Sequence, residues 1–232
     1  MPRRAVQLSL PTPRTWGGRR PGAGRKPTPG RRPGVTHRGR PQHRAAYPVH
    51  VTLRATHAVC CLRSDRVFPA ATRALAAASH RGFRIIHYSI QNDHIHLIIE
   101  ADDGALLSSG MRGLAIRLAR AINRALGRRG AVWDGRYHAR ALTTPRAVRH
   151  ALVYVLMNFK KHGTAVGEID PCSSAAGFDA WARGPAAPSP RGPSPVVRPQ
   201  SWLAAVGWRR HGLVDIHEHP RTDRRIFARR RA

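Results

Sequence analysis

The sequence is short of acidic residues: 12 Asp and Glu stand against 41 Lys and Arg in 232 residues, a formal net charge of +29. Lysine is scarce as well, at 3 against 38 arginines. An imbalance of this size points to a polyanion partner, nucleic acid first of all, with a solubilising or GC-biased composition as the alternative. Guanidinium is also the side chain that matches phosphate by two parallel hydrogen bonds. Cysteine is nearly absent. Cys60 and Cys61 are adjacent and Cys172 stands alone, which excludes a disulfide framework and a cysteine zinc site. Long apolar runs are missing too. The longest is Ala151–Met157, far below the ~20 residues of a membrane-spanning helix, so no membrane partner is expected. The basic start, Pro2-Arg3-Arg4, lacks the apolar stretch of a signal peptide and leads to the expectation of a cytoplasmic, nucleoid-associated chain.

What remains is enough for one core-forming domain with extensions, at 41% hydrophobic residues. The first acidic residue is Asp65, and 12 Arg or Lys lie within residues 1–44 among Gly and Pro. Residues 1–44 therefore read as a disordered basic arm. Residues 184–199 hold six prolines, so 164–200 read as a Pro/Gly-rich linker. Residues 201–232 read as a basic C-terminal tail with an apolar cluster (Trp202, Leu203, Val206, Trp208, Leu213, Val214) able to dock on the core.

Residues 45–163 carry the periodic signals. Tyr47, Val49, Val51 and Leu53 alternate with polar residues, as a half-buried strand does. Residues 69–80 are Ala-rich behind a proline and predict a helix. Phe83–Ile90 and His94–Ala101 predict a hairpin, with Ile86, Tyr88, Ile90, Ile95, Leu97 and Ile99 toward the core. A helix is expected over 104–127, with Arg117, Arg120 and Arg124 on its outer side. A strand over 136–143 and a helix from Pro145 to about His162 complete the order β-α-β-β-α-β-α. Split β-α-β units of this kind predict an α+β fold, a ferredoxin-like antiparallel sheet with helices on one face.

Strand residues two apart point the same way, so His94 and His96 share a face, expected to be the open face of the sheet. Two convergent neutral imidazoles suit a divalent metal. On the last helix, Tyr154 and Asn158 fall at i and i+4, with His150 and Lys161 on the same side. His50 and His87 read as polar lining of the same sheet face, and Glu100 as a distant further ligand. The second His-x-His, His217-Glu218-His219, reads as a solvated or charge-paired tail. Arg112, Arg117, Arg120, Arg124 and Lys161 are candidate phosphate contacts, with a plain solvated helix face as the alternative for the helical arginines. Trp133, Arg136, Tyr137, His138 and Arg140 interleave aromatic and basic groups, as surfaces that stack unpaired bases do, with Trp133 also a candidate for the core. In the arm, Arg38-Gly39-Arg40-Pro41 resembles an AT-hook core suited to a narrow minor groove, with electrostatic tethering as the alternative.

His94-Ile95-His96 after Asn92-Asp93, then Trp133-Asp134-Gly135-Arg136-Tyr137-His138, then Tyr154-Val-Leu-Met-Asn158, occur in this order. On these motifs residues 45–163 resemble the single-tyrosine HUH transposases, in particular the REP-associated tyrosine transposases. The chain departs from the REP-associated pattern in having Phe159 where proline often follows the asparagine. The resemblance implies that His94, His96 and Asn158 hold Mg²⁺ or Mn²⁺ and that Tyr154 is the nucleophile. It implies cleavage of hairpin-bearing single-stranded DNA through a 5′-phosphotyrosine and rejoining of strands, by a homodimer or by successive cleavages. A replication-initiator or relaxase nickase shares the His pair and the tyrosine. A domesticated protein that binds DNA hairpins without cutting them is the reading outside enzymes.

Overall fold

A computed structural model describes residues 41–59, 61–162, 169–183 and 195–220, all within one unit spanning Val35–Ala232. The basic arm up to residue 40, with Arg38 and Arg40, lies outside the described residues, as do residues 184–194 and the last twelve residues of the tail.

Four strands form one sheet: β1 (Val49–Arg54), β2 (Phe83–Ile90), β3 (His94–Ala101) and β4 (His138–Ala141). Their order is β2-β3-β1-β4, every neighbouring pair antiparallel. This is the ferredoxin-like arrangement the element order predicts. It places β1 and β3 at the centre, where both faces of each strand are covered.

The helices do not all lie on one face. Helices α1 (Phe68–Ala76) and α2 (Gly104–Ala125) pack on Val51, Leu53, Ile95, Leu97 and Ile99. Helix α3 (Pro145–Leu156) packs on the opposite face, with Ile86 and Ile98 in a second core. Ile86 thus faces away from its expected side. A bulge between Ile85 and His87 sets Ile85 opposite Ile99 and His87 opposite Ile98, so the extra residue moves Ile86 across the sheet. Within α2, Gly110 lies against the Phe83 ring, and a Cβ there would stand 2.2 Å from it. That close approach, not flexibility, explains a glycine inside a helix that is otherwise well formed.

Helix α3 begins where Pro145 and Thr144 direct. Thr144 accepts a hydrogen bond from the Ala147 amide at 3.1 Å, and Pro145 occupies a position with no donor to satisfy. The helix ends at Leu156, earlier than the expected His162, and a 3₁₀ turn over Asn158–His162 follows. Two contacts account for the turn. Phe159 is buried in the second core, and the Lys160 ammonium donates to the carbonyls of Ile216 and Glu218.

The expected linker is not a plain linker in its described parts. Arg63 and Asp170 form a two-bonded ion pair at 2.9 and 2.7 Å, with the Asp170 side chain fully buried. The Ser174 hydroxyl accepts from the Tyr88 amide, and the Val197 amide donates to the Ile85 carbonyl. Residues 169–183 and 195–200 are therefore pinned along β2. Replacing Arg63 by Ala should leave Asp170 as an uncompensated buried charge and cost about 3–5 kcal/mol of stability. Urea unfolding followed by circular dichroism measures it, and a loss below about 1 kcal/mol would contradict a structural role for the pair.

Of the predicted apolar cluster, Leu203, Trp208 and Val214 dock in the second core, while Trp202, Val206 and Leu213 stay exposed. Glu100 is no metal ligand. It is buried, accepts from the amides of Gln200 and Ser201 at 2.8 and 2.9 Å, and pairs with Arg84. It anchors the start of α4 (Trp202–Ala205).

Candidate active site

Alternation and register decide which side chains meet. In the β1–β3 pairing His96 lies opposite Thr52 and His94 opposite Arg54. In the β1–β4 pairing His138 lies opposite Thr52 and Arg140 opposite His50. Directly opposed residues share a face. His50, Thr52, His94, His96, His138 and Arg140 therefore all belong to the face on which α3 packs. The expectation of an open face is corrected: His94 and His96 are buried beneath α3, because the second core covers that side of the sheet.

Tyr154 comes down from α3 onto this row. Its ring centroid is 5.0 Å from that of His96 and 5.5 Å from that of His50, both edge to face. The His94 and His96 rings are 4.6 Å apart at 80°. Each is held from its far side. His94 Nδ1 is 2.6 Å from an Asp93 carboxylate oxygen, and His96 Nδ1 is 3.1 Å from the Thr52 hydroxyl. With Nδ1 engaged, Nε2 is the nitrogen each ring presents for a ligand. Burial acts to raise the Asp93 pKa, but the His94 hydrogen bond and the Arg54 charge outweigh it and hold it below the usual value. Asp93 is thus a carboxylate, the partner a ligating imidazole uses to gain basicity.

Asn158 is fully buried, and among the described residues neither its amide nitrogen nor its amide oxygen has a hydrogen-bond partner. Leaving a buried amide so costs free energy unless something else satisfies it. The amide sits beside the phenol without forming a hydrogen bond of normal geometry. Burial pushes the Tyr154 pKa above its ordinary value, and Asn158 pulls the other way. The Lys161 ammonium stands 4.3 Å from the Tyr154 ring centroid. Lys161 is drawn to the tyrosine, then, and desolvation lowers its own pKa.

His50 belongs to the cluster more closely than its sequence position suggested. Burial, then the Arg140 charge, push its pKa down to about 4, so it is a neutral imidazole, and its Nε2 is buried without a hydrogen-bond partner among the described residues. His87 does not join. Its Nδ1 is 3.2 Å from the Ser174 hydroxyl, and its ring meets Phe178. Among the described residues no group of three His, Cys, Asp or Glu side chains could hold a metal ion. A further donor outside those four residue types is available in Asn158, a buried amide without a hydrogen-bond partner among the described residues. Two imidazoles and an amide oxygen make a mixed N/O set, which accommodates Mn²⁺ or Mg²⁺. The residues present fit such an ion.

The proposed DNA contacts divide. Arg136, His138 and Arg140 are exposed on the β4 side, His138 and Arg140 on the same face as the histidine row. Tyr137 and Trp133 pack against the first core, and the Trp133 indole donates to the Ala115 carbonyl at 2.9 Å, which favours the core role for Trp133. Arg112, Arg117, Arg120 and Arg124 are exposed on α2, across the sheet from Tyr154. They are not brought to the site.

The sequence pattern of the family described as Transposase IS200 like matches residues 49–155. Among solved structures, the chain is similar to a REP-associated tyrosine transposase bound to a REP hairpin. The TM-score is 0.50 at 19% identity, over 60% of this chain and 82% of the other. A candidate transposase from Deinococcus radiodurans R1 aligns with TM-score 0.35 and 16% identity, over 45% of this chain and 85% of the other. No curated protein matches the chain.

Proposed function

We propose that the protein, whose residues 49–155 match the family described as Transposase IS200 like, cleaves and rejoins single-stranded DNA by attack of Tyr154 on a scissile phosphate. The observation that carries the proposal is the Tyr154 ring 5.0 Å from His96, beside a buried Asn158 amide that has no hydrogen-bond partner among the described residues. The REP hairpin held by the REP-associated tyrosine transposase supports hairpin-bearing DNA as the substrate class.

The chain's own residues have separable tasks. The Tyr154 oxygen forms a bond to phosphorus, and the bond from phosphorus to the 3′-oxygen breaks. The product is a 5′-phosphotyrosine, and the leaving 3′-oxygen takes up a proton. A phenol is a weak nucleophile near neutral pH, with a reference pKa of ~10, and burial here makes it weaker. Lys161 opposes that by placing a positive charge over the ring on which phenolate charge develops. His94, His96 and Asn158 would hold the divalent ion, which when bound supplies a Lewis acid for the scissile phosphate. Asp93 and Thr52 fix the two imidazoles so that neither must reorient during reaction. Because the phosphotyrosine retains the free energy of the phosphodiester, a second 3′-hydroxyl can reverse the step and join different strands without ATP.

Incubation with Mn²⁺ and a labelled single-stranded DNA bearing a hairpin tests the reading. A covalent protein–DNA band is the expected result. Its absence, with hairpin binding retained, would instead favour the non-cleaving hairpin binder.

The basic arm has a distinct task in this reading. Of the 41 basic residues, 12 lie within residues 1–44, outside the matched domain. Removing those residues should weaken DNA affinity and flatten the dependence of log K on log salt. An unchanged salt slope in fluorescence anisotropy titrations would show that the arm does not touch DNA.

A further inference from the structure

The charge and aromatic content that the catalytic reading leaves unused concentrate in residues 195–211, beyond the matched domain. Trp202 is 50% exposed although it opens a helix whose next two residues are buried. The Arg210 guanidinium lies 4.8 Å from its ring centroid, and Arg209 lies 5.6 Å from that of Trp208. Arg209, Arg210 and His211 are consecutive and exposed. Gly207 comes so close to the Trp202 indole that a Cβ would stand 2.6 Å from it, which fixes the ring against the backbone. The indole is thus held, half in water, and covered by an exposed cation.

Immediately before it lies an open cleft of about 580 Å³, lined by His80, Arg81, Arg84, Asp102, Arg198 and Gln200 among others. Arg84 is engaged by Glu100 and Asp102. Arg81 and Arg198 are exposed and make no ion pair among the described residues. Glu100 binds the backbone of both Gln200 and Ser201, so cleft and indole are anchored on one side chain. The segment also rides on the helix that carries Tyr154: Arg149 of α3 donates to the carbonyls of Gly212 and Leu213 at 2.8 Å.

We propose that this segment is a second DNA-binding surface, for the single strand flanking a hairpin. An unpaired base stacks on Trp202, and Arg209, Arg210, Arg81 and Arg198 meet the neighbouring phosphates. The proposal rests on the reading of the chain as a protein acting on DNA. Magnitudes favour the base over the present arrangement. A base stacked on an aromatic side chain is held more strongly than an exposed cation over an indole. Displacing Arg210 from the ring gains the difference and releases its guanidinium to a phosphate. The surrounding positive charge selects a polyanion over an apolar protein partner.

The experiment compares two labelled DNAs on the full-length protein by fluorescence anisotropy: a blunt hairpin, and the same hairpin with a single-stranded flank of roughly 15 nucleotides. Trp202→Ala should weaken the flanked hairpin about 5- to 150-fold, the equivalent of one stacked base, and leave the blunt hairpin unchanged. Trp202→Tyr should recover most of the loss. Equal affinity of Trp202→Ala and the unaltered chain for the flanked DNA would overturn the proposal, and so would equal losses on both DNAs. Should Trp202→Ala fail to fold, the double change Arg209→Ala, Arg210→Ala on exposed side chains decides. It should reduce the salt slope for flanked DNA by roughly 1.4, and an unchanged slope overturns the proposal. Covalent adducts scored on the same samples separate the two readings. A Trp202-dependent affinity without adduct in the unaltered chain sinks the cleavage reading alone. Adduct without Trp202 dependence sinks this one alone.

Discussion

Tyr154→Phe should abolish covalent attachment to single-stranded DNA while leaving hairpin affinity within about twofold. The substitution removes one oxygen and keeps the ring that packs edge to face on His96 and His50. Among the described residues the Asn158 amide atoms have no hydrogen-bond partner, so removing the hydroxyl leaves them no worse satisfied than before. Folding should therefore be unaffected, and the thermal midpoint serves as the control. The loss of cleavage should be about 10⁴-fold or more, because a nucleophile that forms the covalent intermediate has no substitute. Wild-type adduct levels in the phenylalanine variant would end the assignment of Tyr154. The outcome also bears on Lys161, whose ammonium keeps its place over a phenylalanine ring but would have no phenolate to stabilise.

Which parts of this site the sequence could foretell follows from the range of the interactions that make it. The limits of β2 and β3 agree with the alternation of Phe83–Ile90 and His94–Ala101, because a two-residue period is a local property. The same period puts His94 and His96 on one face without any knowledge of the partner strand. The bulge at Ile86 is invisible to it, since one inserted residue leaves a run of apolar side chains that still reads as strand. The end of α3 is hidden for a different reason. Asn158-Phe159-Lys160-Lys161 continues a helical pattern, and the turn is imposed by carbonyls of Ile216 and Glu218, more than fifty residues away in sequence. The helical wheel was right that Arg117, Arg120 and Arg124 face solvent, but a wheel cannot say on which face of a sheet its helix packs. The pairing of Asp170 with Arg63 is equally nonlocal, so a Pro/Gly-rich stretch read as linker holds a buried ion pair. Thr52 had a weak signal, since it shares the alternation that places His50. Asp93 belongs to a motif legible in the sequence, but its bond to His94 emerges from the turn geometry.

Metal dependence is where the second large effect is expected. His94→Ala and His96→Ala should each reduce cleavage by about 10³-fold, the equivalent of several kcal/mol of charge stabilisation at the phosphate. Each should also abolish saturable Mn²⁺ binding in titration calorimetry of the DNA-free protein. Both side chains are buried, so a stability control is needed, and Asp93→Asn supplies a milder companion. That change alters the partner of His94 Nδ1 from carboxylate to amide at an exposed position, and should cost about 10- to 100-fold in Mn²⁺ affinity without unfolding the chain. Asn158→Ala separates ligand from filler. If its unpartnered amide is a donor to the ion, alanine should weaken Mn²⁺ binding while removing a buried polar group that cost the fold stability, so the apo protein should unfold no more easily than before. A destabilised Asn158→Ala protein with unchanged Mn²⁺ affinity would take Asn158 out of the ligand set. Unchanged cleavage in both histidine variants would take the metal out of the reaction.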